Sequence, residues 1–346
     1  MQICTPVPAV THRATGKAKR FRQRRGCAAY ESVGVDPCTF RCRSLEWVDM
    51  RVLITGGRGK VGTHAATALR ERGHRVTLTD VGPAKYGPPL PGALPYIRGD
   101  LTDYGITIAT IMKARPDVVV HTAGIPDPEH DPPHTIFANN IVATFNVVEA
   151  VARSGVGRLV YLSSETATGY VTAERPASPD FLPVDEDHPL RPQDAYAVSK
   201  ALGESLCDAL VRRSDATAVS IRPSLVLAAD EYANIIPLFQ KHPSLGRVNV
   251  WAYVDVLDLA DLIALAAEAD TPGHEVVYAA QPDNSVGLPL KELVAIAYGD
   301  DAPELRAHER ADSSGISCAK ARTLLGWDPS RSWRDYLEAT PATASD

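Results

Sequence analysis

The sequence predicts a doubly wound parallel α/β sheet followed by a smaller C-terminal lobe. Three observations carry that expectation. From Arg51 onward, short apolar runs such as 52–55 and 118–121 alternate with longer segments whose apolar residues recur at helical spacing. The short runs are almost continuously apolar, as strands covered on both faces must be. Between the first such strand and the first helix stands the string Thr55-Gly56-Gly57-Arg58-Gly59-Lys60-Val61-Gly62, a turn rich enough in glycine to bring backbone close to a ligand.

The elements follow in order. Residues 52–55 form the first strand, and 61–72 a helix striped by Val61, Ala65, Ala68 and Leu69, with Gly73 as its stop. Strands are expected at 75–79, ending at Asp80, and at 96–99, then a helix at 105–114 and a strand at 118–121. A long helix over 135–153 carries Ile141, Phe145 and Val148 on one face; strand 158–163, helix 195–213 and strand 217–222 complete the alternation. Farther on, 255–269 reads as a helix through Leu259, Ile263 and Ala266, 275–280 as a strand, 288–298 as a helix, and 317–325 as a helix stopped by Gly326. Right-handed crossovers turn such an alternation into a Rossmann-type sheet with helices on both faces. The expected organisation is a dinucleotide-binding domain over 50–222 and, over 223–340, mainly a substrate lobe with some segments returning to the sheet.

Residues 1–49 differ in kind. They hold the basic run Lys17, Lys19, Arg20, Arg22, Arg24 and Arg25, show no period, and lack an apolar signal core. Met50 is followed at once by the first strand. The segment is therefore expected to be a disordered leader, or the product of a mis-assigned start. Four of the six cysteines, Cys4, Cys27, Cys38 and Cys42, lie here, leaving Cys207 and Cys318 for the body. That usage fits a disulfide-free, cytoplasmic chain. Cys38 and Cys42 alone do not make a four-ligand metal site, so no metal is expected. A net charge of −6 argues against a nucleic-acid partner, and no unbroken apolar run approaches the ~18 residues of a membrane span.

The glycine string has the chemistry of a pyrophosphate cradle. Its first glycine permits the tight turn, the next the close approach of backbone to phosphate, and Gly62 the packing of the helix near the sheet. The helix N-terminus adds free N–H groups and positive dipole. Asp80, about 20 residues beyond the string, is placed for the adenosine ribose hydroxyls, and a carboxylate there favours NAD over NADP; Arg58 and Lys60 are the opposing charges. Asp100 is placed either to reach the adenine or to cap the next turn.

Tyr196 and Lys200 stand at i and i+4, on one face of a helix. A lysine there is expected to lower the tyrosine from its usual pKa of about 10 and make it an acid/base catalyst.

On these residues the chain resembles the extended short-chain dehydrogenase/reductase superfamily, and within it the NAD-dependent epimerase/dehydratase family. The resemblance runs from about Met50 to the 324–333 segment. It rests on the 55–62 string, Asp80, Gly99-Asp100-Leu101, His121-Thr122-Ala123-Gly124, Asn140, Leu162-Ser163-Ser164, Tyr196 with Lys200, and Arg222-Pro223-Ser224. It implies NAD contacts at Gly56, Gly59, Lys60, Val61, Gly62, Asp80, Asp100, Leu101, Ala123, Gly124, Asn140, Lys200, Pro223 and Ser224. It also implies that Ser164 hydrogen-bonds the reacting oxygen beside Tyr196, and that the helices over 135–153 and 195–213 pair in a homodimer.

Two departures bear on the substrate. Where nucleotide-sugar epimerases carry an arginine for the diphosphate, this chain has Trp251, with Arg247 four residues away; an indole cannot neutralise a diphosphate. Where dehydratases carry an Asp-Glu pair after the active-site hydroxyl, Ser164 is followed by Glu165 and Thr166, so half of that acid/base pair is missing. Glu165 reads equally as a surface carboxylate or a substrate contact. Glu165, Arg247, Trp251, Ser164 and Tyr196 are the expected substrate contacts. The leading expectation is an NAD-dependent dehydrogenase or reductase acting on a small polar alcohol or carbonyl, a sugar or sugar acid. A nucleotide-sugar epimerase, and a non-catalytic NAD-sensing protein, stay open beside it.

Overall fold

The computed structural model describes residues 49–82, 92–126 and 131–338. Apart from Asp49, the expected leader lies outside them.

The chain enters on β1 (Arg51–Thr55), turns through the glycine string into α1 (Lys60–Glu71) and returns along β2 (Arg75–Asp80). After β3 (Tyr96–Arg98) and α2 (Tyr104–Ala114) it crosses back to place β4 (Val118–His121) on the other side of β1. Then come α3 (Pro133–Ser154), β5 (Arg158–Leu162), a short β6 (Phe181–Leu182), α4 (Ala195–Arg213) and β7 (Thr217–Pro223). The remaining elements are β8 (Leu225–Leu227), α5 (Tyr232–Lys241), β9 (Tyr253–Asp255), α6 (Val256–Glu268), β10 (His274–Ala279), α7 (Leu290–Tyr298), β11 (Glu304–Leu305), α8 (Ala319–Leu325) and α9 (Trp333–Glu338). The main sheet has seven strands in the order β10-β7-β5-β4-β1-β2-β3, all paired in parallel. Strand order reverses between β1 and β4, which opens a crevice at their carboxyl ends.

Successive residues of each strand supply opposite faces of the sheet. Val52 and Ile54 join one apolar cluster with Leu259 and Ile263 of α6, whereas Leu53 joins a second with Val147 and Val151 of α3 and Leu210 of α4. Burying each such aliphatic side chain contributes about 1.5–3 kcal/mol. Helix starts are set by side chains: Asp103, Asp194 and Asp255 cap α2, α4 and α6 by accepting backbone N–H groups. Among the described residues, α3 alone is long and apolar enough to cross a membrane by length and composition, and half of its apolar window is buried; it packs between α2 and α4.

The predicted boundaries of the main sheet shift by only a few residues. The sequence reading did not contain β6, β8, β9, β11, α5 or α9. Those strands are two or three residues long, too short to display a period. Pro237 lies inside α5 and argues locally against a helix.

Candidate active site

A cavity of ≈ 490 Å³ opens at the β1–β4 reversal, lined among others by Gly56, Gly59, Asp80, Asp100, Leu101, Ala123 and Gly124. Its floor depends on missing side chains. Gly56 has φ +64°, and a Cβ there would lie 2.7 Å from the backbone of Ala123. A Cβ on Gly62 would lie 2.3 Å from the Gly56 carbonyl oxygen. The first turn of α1 follows Gly59, which offers no side-chain cap, so its N–H groups face outward without intrahelical partners. At the other end, Asp80 accepts the Arg58 N–H at 3.1 Å and the Val81 N–H at 2.8 Å. The Arg58 guanidinium lies over the Tyr96 ring, 5.6 Å from its centroid. A glycine cradle, open helix amides and a carboxylate at the far end fit a dinucleotide.

Asp100 closes a local turn, accepting from the Thr102 N–H at 2.9 Å and hydroxyl at 2.7 Å, while still lining the cavity. The cap of α2 is Asp103 instead. Val61 packs against the core on the α1 face.

Three expected cofactor contacts have their side chains engaged elsewhere. The Lys60 ammonium lies 2.6 and 2.7 Å from the two Glu231 carboxylate oxygens and 3.2 Å from the Val226 carbonyl, leaving only its backbone to the loop. The Asn140 amide is occupied by Ile125, accepting its N–H at 2.7 Å and donating to its carbonyl at 3.1 Å; it clamps the strand exit onto α3. The Ser224 N–H and hydroxyl both donate to the Ala279 carbonyl, at 3.0 and 3.1 Å, joining the residue after Pro223 to β10.

The second half of the site forms where α4 meets the end of β5. Asp194 caps α4 by accepting the Tyr196 and Ala197 N–H groups at 2.9 Å. Lys200, one turn on, is 5% exposed. Its ammonium donates to the Leu162 carbonyl at 2.8 Å and lies 5.5 Å from the Tyr196 ring centroid and 5.4 Å from that of Tyr161. Ser164, just past the end of β5, acts on the Tyr196 phenol and favours its phenolate; its hydroxyl oxygen also accepts the Thr166 N–H at 3.2 Å. The expected trio is thus brought together.

Its electrostatics correct the sequence reading. Desolvation pushes Tyr196 up to about 12, outweighing the effect of Ser164, which favours its phenolate. Burial brings Lys200 down to about 8, against the pull of the Glu204 carboxylate. The lysine faces the ring and a carbonyl, so its charge does not offset the cost of a buried phenolate.

Two substrate candidates fall away from the site. Trp251 is fully buried, with φ +57°. Its indole N–H donates to the Pro243 carbonyl at 2.7 Å and its ring sits edge-on to Tyr298. The left-handed pair Val250–Trp251 turns the side chain into the core. Arg247 stacks on Tyr298, 4.5 Å from the ring centroid, and donates to the Ser178 hydroxyl at 3.1 Å. Glu165 is buried, not a surface carboxylate: it is 4% exposed, and burial raises its pKa well above the usual range.

The sequence reading missed the support behind the trio. Glu204, at i+4 from Lys200, receives Arg222 Nε at 2.9 Å, Arg222 Nη2 at 2.7 Å and the Ser163 hydroxyl at 2.6 Å. Tyr161 lies beneath Lys200 and stacks on His121, whose imidazole desolvation brings down to about 3. The signal for Tyr161 was Gly203 in mid-helix, where a Cβ would fall 2.1 Å from the Tyr161 hydroxyl.

Fold and site together define a doubly wound dinucleotide-binding protein with a Tyr/Lys pair and a hydroxyl partner at the carboxyl edge of the sheet. The chain belongs to the NAD dependent epimerase/dehydratase family, which matches residues 52–279. It is 27% identical to a UDP-glucose 4-epimerase of Corynebacterium glutamicum, over 81% of this chain and 91% of the relative. It is 30% identical to a 3-diazoavenalumate denitrifying reductase of a Streptomyces species, over 83% of this chain and 99% of the relative. The Bordetella bronchiseptica enzyme WbmH, solved with NAD+, superposes with a TM-score of 0.58 at 26% identity, covering 85% of this chain and 97% of that one.

Proposed function

We propose that the protein is an NAD-dependent oxidoreductase that moves a hydride between the nicotinamide and an alcohol or carbonyl carbon of a small polar substrate, a sugar or sugar acid. The observation that carries this reading is the placement of Lys200 5.5 Å from the Tyr196 ring centroid, with Ser164 acting on the same phenol, at the carboxyl edge of the sheet that holds the dinucleotide-shaped crevice. NAD, when bound, supplies the hydride acceptor or donor. Gly56, Gly59, Gly62 and the open amides of α1 would hold its pyrophosphate, and Asp80 its ribose. Tyr196 exchanges the substrate proton at its phenolic oxygen, and Ser164 holds the reacting oxygen by a hydrogen bond. With its phenol pushed up to about 12, Tyr196 keeps its proton at neutral pH and stands ready to donate to a carbonyl. The reductase relative, aligned over almost its whole length, supports net redox chemistry.

A nucleotide-sugar epimerase is the second reading, favoured by the epimerase relative. Against it stands Trp251, which leaves no cation where a diphosphate arginine is expected. The exposed Val142, Phe145 and Leu202 of α3 and α4 are read as a homodimer face. A cytoplasmic location is part of the same reading, supported by Cys207 and Cys318, both free thiols.

A screen of NAD reduction and NADH oxidation over free sugars, uronic acids and nucleotide sugars, run beside Tyr196→Phe, tests the proposal. Net cofactor turnover with a free sugar or uronic acid, lost by at least about 100-fold in the variant, is expected. Interconversion of nucleotide sugars without net redox change would establish the epimerase instead.

A further inference from the structure

The residue after Ser164 presents an anomaly. The Glu165 side chain is buried, and its Oε2 has no hydrogen-bond partner. The next residue repeats the pattern, since Thr166 is 8% exposed and its Oγ1 is also without a partner. Buried polar atoms ordinarily find partners, because leaving one unmade costs about 1–3 kcal/mol. They are two of nine such atoms among the described residues, and they stand in succession on one 3-10 turn, Glu165–Thr168, directly beyond Ser164.

The surroundings determine the state of the carboxyl. The Leu225 N–H faces it and favours its charge, whereas desolvation opposes that charge more strongly; no cation acts on it among the described residues. A charge on Glu165 would in turn act on Tyr196 of α4 and on Tyr170 beyond the 3-10 turn. Glu165 therefore faces two phenols and an amide, which is a setting for a neutral acid.

We propose that Glu165 stands in the substrate site as an uncharged carboxylic acid, and that its O–H, with the Thr166 hydroxyl, donates to acceptor oxygens next to the substrate carbon served by Tyr196. The ligand class is one that carries oxygen on the carbon adjacent to the reacting one, as polyols, sugars and sugar acids do. This deepens the reading of Ser164 and Tyr196 given above and rests on it. Glu165 is then a specificity-determining residue: a substrate lacking the neighbouring oxygen leaves a buried donor unmade.

Two measurements on Glu165→Gln, Glu165→Ala and the wild type test this. The first needs no substrate. A carboxyl neutral in the fold but ionised in the unfolded chain lowers stability as pH rises above its unfolded value. Melting temperatures should therefore place E165Q above the wild type by a margin that widens from about pH 5 to about pH 8. A margin that stays flat, or a variant that loses stability relative to wild type as pH rises, means an ionised and stabilised carboxylate and overturns the proposal. The second titrates the NAD-loaded protein with D-glucuronate and with UDP-glucose. E165A should weaken binding of at least one probe about 10- to 100-fold. Wild-type binding of that probe should fade as pH rises, and E165Q should bind more weakly than wild type at neutral pH but without that fading. Wild-type affinity in E165A, or E165Q as pH-sensitive as the wild type, overturns the donor role. If neither probe binds the wild type while NAD does, the sugar reading fails and the donor role falls with it; the stability measurement still decides whether the acid is neutral.

Discussion

Replacing Lys200 should make the protein more stable while disabling the site. The ammonium is buried, and its pKa falls from 10.5 in the unfolded chain to about 8 in the fold. At ~1.4 kcal/mol per pH unit, that difference corresponds to about 3 kcal/mol of destabilisation wherever both states are protonated. Below about pH 8 the full cost is present. Between about 8 and 10.5 the unfolded chain holds the proton that the fold has released, so stability rises with pH and the cost disappears. Lys200→Met removes the charge and retains most of the aliphatic stem. It also forfeits the charge-assisted hydrogen bond to the Leu162 carbonyl, worth about 2 kcal/mol. The net expectation at pH 7 is a gain of about 1 kcal/mol, or roughly 2 °C in melting temperature for a chain of this size. Thermal unfolding of both proteins from pH 7 to 10.5 is the assay, with the difference between them cancelling titrations they share. The gain should shrink through that range and change sign within it. A variant less stable than wild type at pH 7, or a gain that does not fall with pH, would refute the reasoning and place Lys200 in a paired, stabilised state.

Three further perturbations address the cofactor crevice and the assembly. Gly62→Ala drives a Cβ to 2.3 Å from the Gly56 carbonyl, so the phosphate loop must open; calorimetric NAD affinity should fall at least about tenfold, with a melting temperature lowered by the ~1–3 kcal/mol of an overpacked contact. Asp80→Ser removes the carboxylate that opposes a 2′-phosphate, and the preference for NAD over NADP in direct binding should drop by about tenfold or more. Phe145 is 48% exposed on α3; on the proposed homodimer reading the protein should sediment as a dimer and Phe145→Asp as a monomer, and a wild type that sediments as a monomer, or a sedimentation coefficient unchanged in the variant, would remove that face as the contact.

The parts of the fold legible in the sequence are those in which one residue type has one physical use. Val52–Ile54 read as a strand because parallel strands are covered twice. Gly56 and Gly62 read as a cradle because nothing larger fits against Ala123 and the Gly56 carbonyl. Tyr196 and Lys200 share a face because helices have a fixed period. What was not legible depends on distant partners or on side-chain direction. Lys60 looked like a phosphate ligand until Glu231, 171 residues away, engaged its ammonium. Trp251 was expected at the substrate, yet it and the preceding Val250 are successive left-handed residues and its ring lies in the core, a rotation that no spacing rule records. Glu165 follows a strand end, where burial and exposure have the same sequence. The sign of the Tyr196 shift was misjudged because proximity of Lys200 was legible and the loss of solvent around both groups was not.

That loss of solvent gives the site its chemical bias. Tyr196 and Glu165 are each pushed toward their proton-bearing forms, and Lys200 is drawn down to about 8. Glu204 pulls the other way but does not offset the loss of solvent; its carboxylate is also shared between Arg222 and Ser163. Oxidation of an alcohol uses NAD+, whose nicotinamide would bring a positive charge to the site and favour the phenolate; reduction uses the neutral dihydronicotinamide and leaves the phenol its proton to donate. The balance between the two is therefore set less by Tyr196, Lys200 and Ser164 alone than by the charge that enters the site and by how far β5, α4 and the turn after Ser164 shield it from water.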